Sequence, residues 1–198
     1  IYNYYKRQGW KYQQYIACLD PLGEDRGKTP YALNPEQYGM FLTELFNLWY
    51  EDWKKGEQPY IRQFENYIGI LLGYQPESCE QRGSCGIQNV VEADGSVYPC
   101  DFYALDEYKL GNFNCNRLEE IDKKRKEIAF VEQSQIVAEN CKNCKFYKIC
   151  KGGCRRNKDF NAMNGEYENY FCKSYRIFFD ICLERMIQIV EIIKNQKG

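Results

Sequence analysis

"CKNCKFYKICKGGC", residues 141–154, sets four thiols, Cys141, Cys144, Cys150 and Cys154, into fourteen positions. Working outward, Cys79 and Cys85 are separated by five residues. Nine residues, Gly95 and four more lead from Cys85 to Cys100, and seventeen residues lead from Cys154 to Cys172. These eight cysteines make two sets of four. A two-residue gap lets two thiolates point at one centre through a turn, and Gly152 and Gly153 let backbone N–H groups approach sulfur. Each set could hold one zinc ion or one iron–sulfur cluster, and spacing alone leaves both open.

The chain has eleven cysteines and no histidine. A secreted disulfide scaffold is normally shorter, carries an even count and follows an export signal, so metal ligation is the better expectation. Without histidine, His-based triads, HExxH zinc sites and imidazole bases are excluded within these residues. Acid–base work falls to Asp, Glu, Tyr, Lys or Cys. At 198 residues and formal net charge −1, with basic and acidic residues interleaved, the chain suggests no broad basic face for nucleic acid. Apolar runs are too short for a membrane span and no export signal opens the sequence, so a soluble, cytoplasmic protein is expected. The sequence starts at Ile1, and "IYNYYKRQGWKYQQYIACLDP" reads as the middle of a fold, so a fragment of a longer protein is expected.

Residues 11–19, "KYQQYIACL", read as a strand feeding the loop "DPLGEDRGKTP". A helix follows, with Asn34 as N-cap, Pro35 at its first position and Gln37 as capping-box partner. Its apolar residues are Phe41, Leu45, Leu48, Trp49 and Trp53, and Gly56 ends it. A second helix carries Ile61, Phe64, Ile68, Leu71 and Leu72 up to Gly73. Composition changes near Pro76, where a domain boundary is expected. Val90 and Val91, then Asp94-Gly95, then Val97 and Tyr98 spell a β-hairpin with a type I′ turn that delivers Cys100. From about Tyr175 to Lys194, Phe178, Ile181, Met186, Ile189 and Ile193 predict a closing helix.

The run C-x9-G-x4-C, C-x2-C-x5-C-x3-C and a distal C, on Cys85, Cys100, Cys141, Cys144, Cys150, Cys154 and Cys172, resembles the SPASM domain of radical S-adenosylmethionine peptide-modifying enzymes. "DGSVYPCDFY", "CKGGCRR", "CLDPLGE" and "LFNLWYEDW" resemble the anaerobic sulfatase-maturating enzymes in particular. The resemblance implies an α+β fold: residues 1–75 as terminal β/α units of a partial TIM-type barrel, and residues 76–198 as the Cys-rich SPASM domain with its hairpin and closing helix. It implies two auxiliary 4Fe-4S clusters, one on Cys79, Cys85, Cys100 and Cys154, the other on Cys141, Cys144, Cys150 and Cys172. Full ligation would favour electron transfer over Lewis-acid catalysis. Asp101 matches the family's proton acceptor, and burial beside a negative cluster would raise its pKa. Unaided, an aspartate after a turn reads as a solvated or capping residue. Leu19, expected at the strand's end, matches a position that contacts S-adenosylmethionine; as a leucine it reads equally as core. Tyr98 and Tyr103 are candidates for the peptide site, against ordinary packing. Cys18, Cys115 and Cys182 are expected to be buried structural thiols.

The C-x3-C-x2-C loop that holds the catalytic cluster of radical S-adenosylmethionine enzymes is missing from these residues. S-adenosylmethionine and a third 4Fe-4S cluster would belong to a longer parent, and this chain alone should be inactive. The parent would generate a 5′-deoxyadenosyl radical and oxidise a Cys or Ser of a sulfatase to Cα-formylglycine. Asp101 would take the proton, and a flavodoxin- or ferredoxin-type protein would exchange electrons. The alternatives are another SPASM peptide maturase and a zinc-stabilised interaction module.

Overall fold

The computed structural model describes residues 1–196; residues 197 and 198, the end of the 76–198 segment, lie outside the described residues. Helix α1 (Tyr2–Arg7) precedes strand β1 (Tyr12–Gln13), helix α2 (Pro35–Trp53), strand β2 (Tyr60–Ile61) and helix α3 (Arg62–Leu71). Next come α4 (Cys79–Arg82), β3 (Val90–Val91), β4 (Ser96–Tyr98), β5 (Gly111–Asn112), α5 (Leu118–Glu127) and α6 (Phe130–Ser134). The chain continues through α7 (Glu139–Lys142), α8 (Tyr147–Cys150), β6 (Lys158–Asn161), β7 (Glu166–Asn169) and the closing α9 (Cys172–Asn195). The content is mixed helix and strand, with short strands.

Strand β1 pairs in parallel with β2 across α2, a single β–α–β step. The strand expected over residues 11–19 is paired only at Tyr12 and Gln13, because β2 gives way to α3 at Arg62. Leu19 therefore sits in the loop beyond the strand. Helix α1, which the sequence reading missed, is held by Tyr2 and Lys6, both donating to Asp52 Oδ2 at 2.5 Å.

The capping box of α2 forms as expected: the Gln37 N–H donates to Asn34 Oδ1 at 2.8 Å and the Asn34 N–H to Gln37 Oε1 at 3.4 Å. Its buried face is Tyr38, Leu42, Leu45, Phe46 and Trp49, whereas Phe41 and Leu48 point outward. Tyr38 and Leu42 displace them because α9 lies on that side. The contact is close at Gly39, where a Cβ would sit 3.1 Å from Ile177 Cβ and from the Ser174 backbone. Helix α9 buries Phe178, Phe179, Cys182, Met186 and Ile189 against Phe46, Trp49 and Phe64, so one aromatic core joins residues on both sides of position 76. Ile181 is on the exposed face.

The hairpin forms with Val90 opposite Tyr98 and Val91 opposite Val97, and β5 adds a third strand. Its turn is not type I′. The Gly95 N–H donates to the Glu92 carbonyl at 2.9 Å, and only Gly95, at φ 84, is left-handed. That is a type I turn followed by a glycine bulge. Asp94 stays right-handed because its carboxylate accepts from the Ser96 N–H at 2.9 Å and from the Ser96 hydroxyl at 2.7 Å. Val97, Leu110 and Ile121 form a second, smaller core beneath this sheet.

Candidate metal centres and the adjoining cavity

All eleven cysteines are free thiols. Cys79 opens α4, and Cys85 follows Gly83, whose left-handed backbone runs so close to the Lys151 carbonyl that a side chain there would collide with it. The Cys85 N–H donates to Ser134 Oγ at 2.8 Å, pinning this loop to α6. Cys100 leaves the hairpin, and Cys154 follows three consecutive left-handed residues, Lys151, Gly152 and Gly153, at φ 55, 81 and 72. That reversal turns Cys154 away from Cys150 and toward Cys79 and Cys85, with which it lines one enclosed pocket. Cys141, Cys144, Cys150 and Cys172, supplied by α7, the loop after it, α8 and the start of α9, line a separate cavity of about 540 Å³.

Electrostatics divides the eight thiols the same way. Burial pushes Cys154 up to about 12, and negative charge on Glu80, Cys79 and Cys85 acts in the same sense. Cys100 is pushed up to about 12 by burial and by the Asp101 carboxylate, with Cys85 adding to it. In the other set, burial takes Cys150 up to about 12, and Cys172, Cys141 and Cys144 reinforce it. Cys172 is raised by burial and then by Cys144. Burial raises six of these thiols, Cys85, Cys100, Cys141, Cys150, Cys154 and Cys172, and a bound cationic centre would have to displace their protons, as it does in a metal–thiolate donor set.

Three of these sulfurs accept a backbone N–H from two residues downstream. Phe102 donates to Cys100, Gly152 to Cys150, and Arg156 to Cys154 at 3.4 Å. Such bonds stabilise thiolate charge and tune the potential of a bound cluster. Among the described residues no three Cys, Asp or Glu side chains are gathered closely enough to hold one metal ion. A tetrahedral zinc site would need sulfurs about 3.8 Å apart, from Zn–S bonds near 2.3 Å. Donor sets made wholly of sulfur suit a soft centre, four-cysteine zinc or an iron–sulfur group.

Asp101 begins a 3₁₀ turn, Asp101–Tyr103, and is exposed, contrary to the burial expected of it; the turn projects it outward from Cys100. The Cys100 S–H donates to Asp101 Oδ1 at 3.1 Å. Asp101 and Leu19 line the same two neighbouring cavities, of about 320 and 390 Å³. Cys79 and Cys154 reach the first of these. Tyr98 and Tyr103 do not; both are buried, Tyr103 edge-on to Tyr108 and Phe130, so they are packing residues. Cys182 is buried as expected, but Cys18 and Cys115 are exposed, because each lies in a loop outside both cores.

Sequence reading missed the polar clasp behind Asp101. Buried Asp20 accepts from the Gly27 N–H at 2.8 Å, from the Thr29 N–H at 3.0 Å and from the Thr29 hydroxyl at 2.8 Å. The Arg156 guanidinium donates to the Asp20 carbonyl. Arg26 grips Asp159 through two nitrogens, at 2.9 and 2.7 Å, and the Arg156 carbonyl at 3.1 Å. An aspartate ahead of a glycine-punctuated loop is a detectable signal for the first half of this clasp; the second half, Arg156 and Asp159, comes from more than 100 positions away.

Residues 79–145 match the SPASM iron–sulfur cluster-binding domain. The chain is 44% identical over 194 residues, 98% of its length, to a cysteine-type anaerobic sulfatase-maturating enzyme of Clostridium perfringens, covering 52% of that protein. It is 41% identical to a cysteine-type enzyme of Clostridium novyi, over 98% of this chain and 52% of that one. A serine-type enzyme of Bacteroides thetaiotaomicron is 29% identical, over all of this chain and 51% of that protein. Among solved structures, "Native anSMEcpe with bound AdoMet and Cp18Cys peptide" superposes with TM-score 0.89 at 43% identity, over 97% of this chain and 53% of that one. The chain spans about half the length of the curated relatives it matches. By sequence and by fold it is similar to the anaerobic sulfatase-maturating enzymes, and its residues 79–145 match the SPASM iron–sulfur cluster-binding domain.

Proposed function

We propose that this chain is the auxiliary-cluster part of a radical S-adenosylmethionine maturase that oxidises a Cys or Ser of a sulfatase to Cα-formylglycine. Residues 1–75 are assigned to the end of a TIM-type barrel and residues 76–198 to the SPASM domain, whose closing helix returns to pack on α2. One 4Fe-4S cluster is assigned to Cys79, Cys85, Cys100 and Cys154, the other to Cys141, Cys144, Cys150 and Cys172. When bound, these groups supply one-electron transfer. S-adenosylmethionine and a third cluster belong to the longer parent, and the compartment is the cytoplasm.

What carries this reading is a juxtaposition: Asp101 and Leu19 face the same cavities, one of which is walled by Cys79 and Cys154. Asp101 is directed to the reacting side chain of the sulfatase peptide, whose thiol or hydroxyl proton it accepts. Leu19 and Ala17 supply an apolar wall that holds the reactants in place and excludes water. The clasp of Asp20, Arg26 and Arg156 holds that wall against the segment that carries Cys154.

Anaerobic purification followed by iron and sulfide analysis should return about four irons and four sulfides per thiol quartet. The parent should convert Cys- or Ser-type sulfatase peptides with the mass change of oxidation. A colourless protein with stoichiometric zinc would overturn the reading. Clusters with no conversion of either peptide would redirect it to another SPASM maturase.

A further inference from the structure

Strands β6 and β7 form a hairpin whose open end lies between ligands of the two thiol quartets. Lys158 pairs with Asn169 there. Cys154, of one set, comes four residues before Lys158, and Cys172, of the other, three residues after Asn169. The Asn169 side chain closes this end: its amide donates to the Gly152 carbonyl at 2.9 Å, and its oxygen accepts the Phe171 N–H at 2.8 Å. Lys158 therefore adjoins both sets without belonging to either.

Its side chain joins them a second time. The half-buried ammonium donates to the Ser134 carbonyl at 3.0 Å and to the Ile136 carbonyl at 3.4 Å. Ser134 Oγ accepts the Cys85 N–H at 2.8 Å, and the chain runs on from Ile136 into α7, which carries Cys141. One ammonium thus ties the strand after Cys154 to the short connection between the anchor of Cys85 and the helix of Cys141. No carboxylate balances it. Among the described residues Lys158 forms no ion pair, and the adjacent Asp159 is taken by Arg26. Burial lowers Lys158 from the ordinary lysine value, and Cys141, Cys85 and Cys154 act against that lowering. Lys158 in turn draws Cys85 and Cys141 down against their own burial. A half-buried cation with no acid beside it carries a desolvation cost, which anionic sulfur on both sides would offset.

Resting on the iron–sulfur reading above, we propose that Lys158 is a positioning residue shared by both quartets, whose single charge raises the reduction potentials of the two thiolate-held groups together. A cluster on four thiolates is anionic and gains another negative charge on reduction. A cation fixed by two carbonyls at this junction stabilises the reduced form on either side, more strongly than it would in open water. The charge acts through the sulfurs of Cys85, Cys154 and Cys141, and Lys158 itself gives up no proton or electron.

The test uses the anaerobically prepared, iron–sulfur-loaded protein, with iron and sulfide counted and midpoint potentials read by electron paramagnetic resonance during redox titration. Wild type is compared with Lys158→Met and Lys158→Gln, which remove the charge, with Lys158→Arg, which keeps it, and with Lys123→Met on the exposed side of α5 as a control. Both neutral variants should retain wild-type iron content and move both potentials to more negative values, while Lys158→Arg and the control stay at the wild-type values. Unchanged potentials in the neutral variants, a shift of one cluster alone, or an equal shift in Lys158→Arg overturns the proposal and leaves the clusters standing. Loss of iron from both neutral variants would make Lys158 an assembly residue and overturns the potential-setting role. Absence of iron and sulfide in wild type overturns the iron–sulfur reading itself, and the proposal falls with it.

Discussion

Asp101 shows how much a single carboxylate owes to its neighbour. It is exposed, touches the Cys100 thiol at 3.1 Å and opens on two cavities. Replacing it by asparagine keeps an oxygen for that contact but removes the carboxylate proposed above as proton acceptor. Asp101→Asn in the parent should keep iron and sulfide content and lower product formation by about 10²–10⁴-fold, the usual worth of a general base, as measured by peptide oxidation. Wild-type turnover would remove its role. Gly153 is decided by strain: at φ 72 it is left-handed, and a Cβ there would meet the Asn169 amide, which donates to the Gly152 carbonyl at 2.9 Å. Gly153→Ala should cost roughly 1–2 kcal/mol or more in denaturant unfolding, where an ordinary loop glycine would cost little.

Among the elements, α2 and the 20–29 loop were legible to different degrees. The N-cap Asn34, Pro35 and Gln37 are local signals, and the capping box forms as read. Asn34→Ala should destabilise by about 1 kcal/mol, seen as a lower denaturation midpoint with an unchanged slope. The inward face of α2 was only partly legible, because Phe41 and Leu48 have the right spacing but the wrong side once α9 is in place. The loop depends on Asp20, whose carboxylate is held down to about 2, chiefly by the Gly27 N–H and then by Thr29. A depressed carboxylate stabilises the fold fully above its unfolded value and loses that contribution as pH falls through its folded value. Acid titration from the ordinary aspartate range toward about pH 2 should therefore release this loop, and Asp20→Asn should flatten that part of the stability–pH curve.

For the whole molecule, metal and core divide the labour. The aromatic core of α2, α3 and α9 buries Phe46, Trp49, Phe64, Phe178 and Met186, whereas the small core under the hairpin has three buried residues, Val97, Leu110 and Ile121. A core that small gives little independent stability, so the cysteine loops should rely on what their thiols bind. Removing iron by chelation should abolish hydrogen-exchange protection around residues 80–101 and 141–154 while leaving α2 and residues 178–190 of α9 protected. Uniform loss across the chain would show that clusters and core unfold as one unit.

The sequence by itself determined the thiol inventory, the caps of α2, the hairpin and the closing helix, since each rests on neighbours within a few positions. The strand was overcalled because pairing needs a partner as long as itself, and β2 has two residues. Spacing counted two sets of four but could not say which cysteine joined which. Only the tertiary structure sends Cys154 away from Cys150 through three left-handed residues, and only it turns Arg155, Arg156 and Lys158 inward. Both outcomes depend on where distant segments cross, and contacts across more than 100 residues, such as Arg156 with Asp20, leave no periodic trace in the chain.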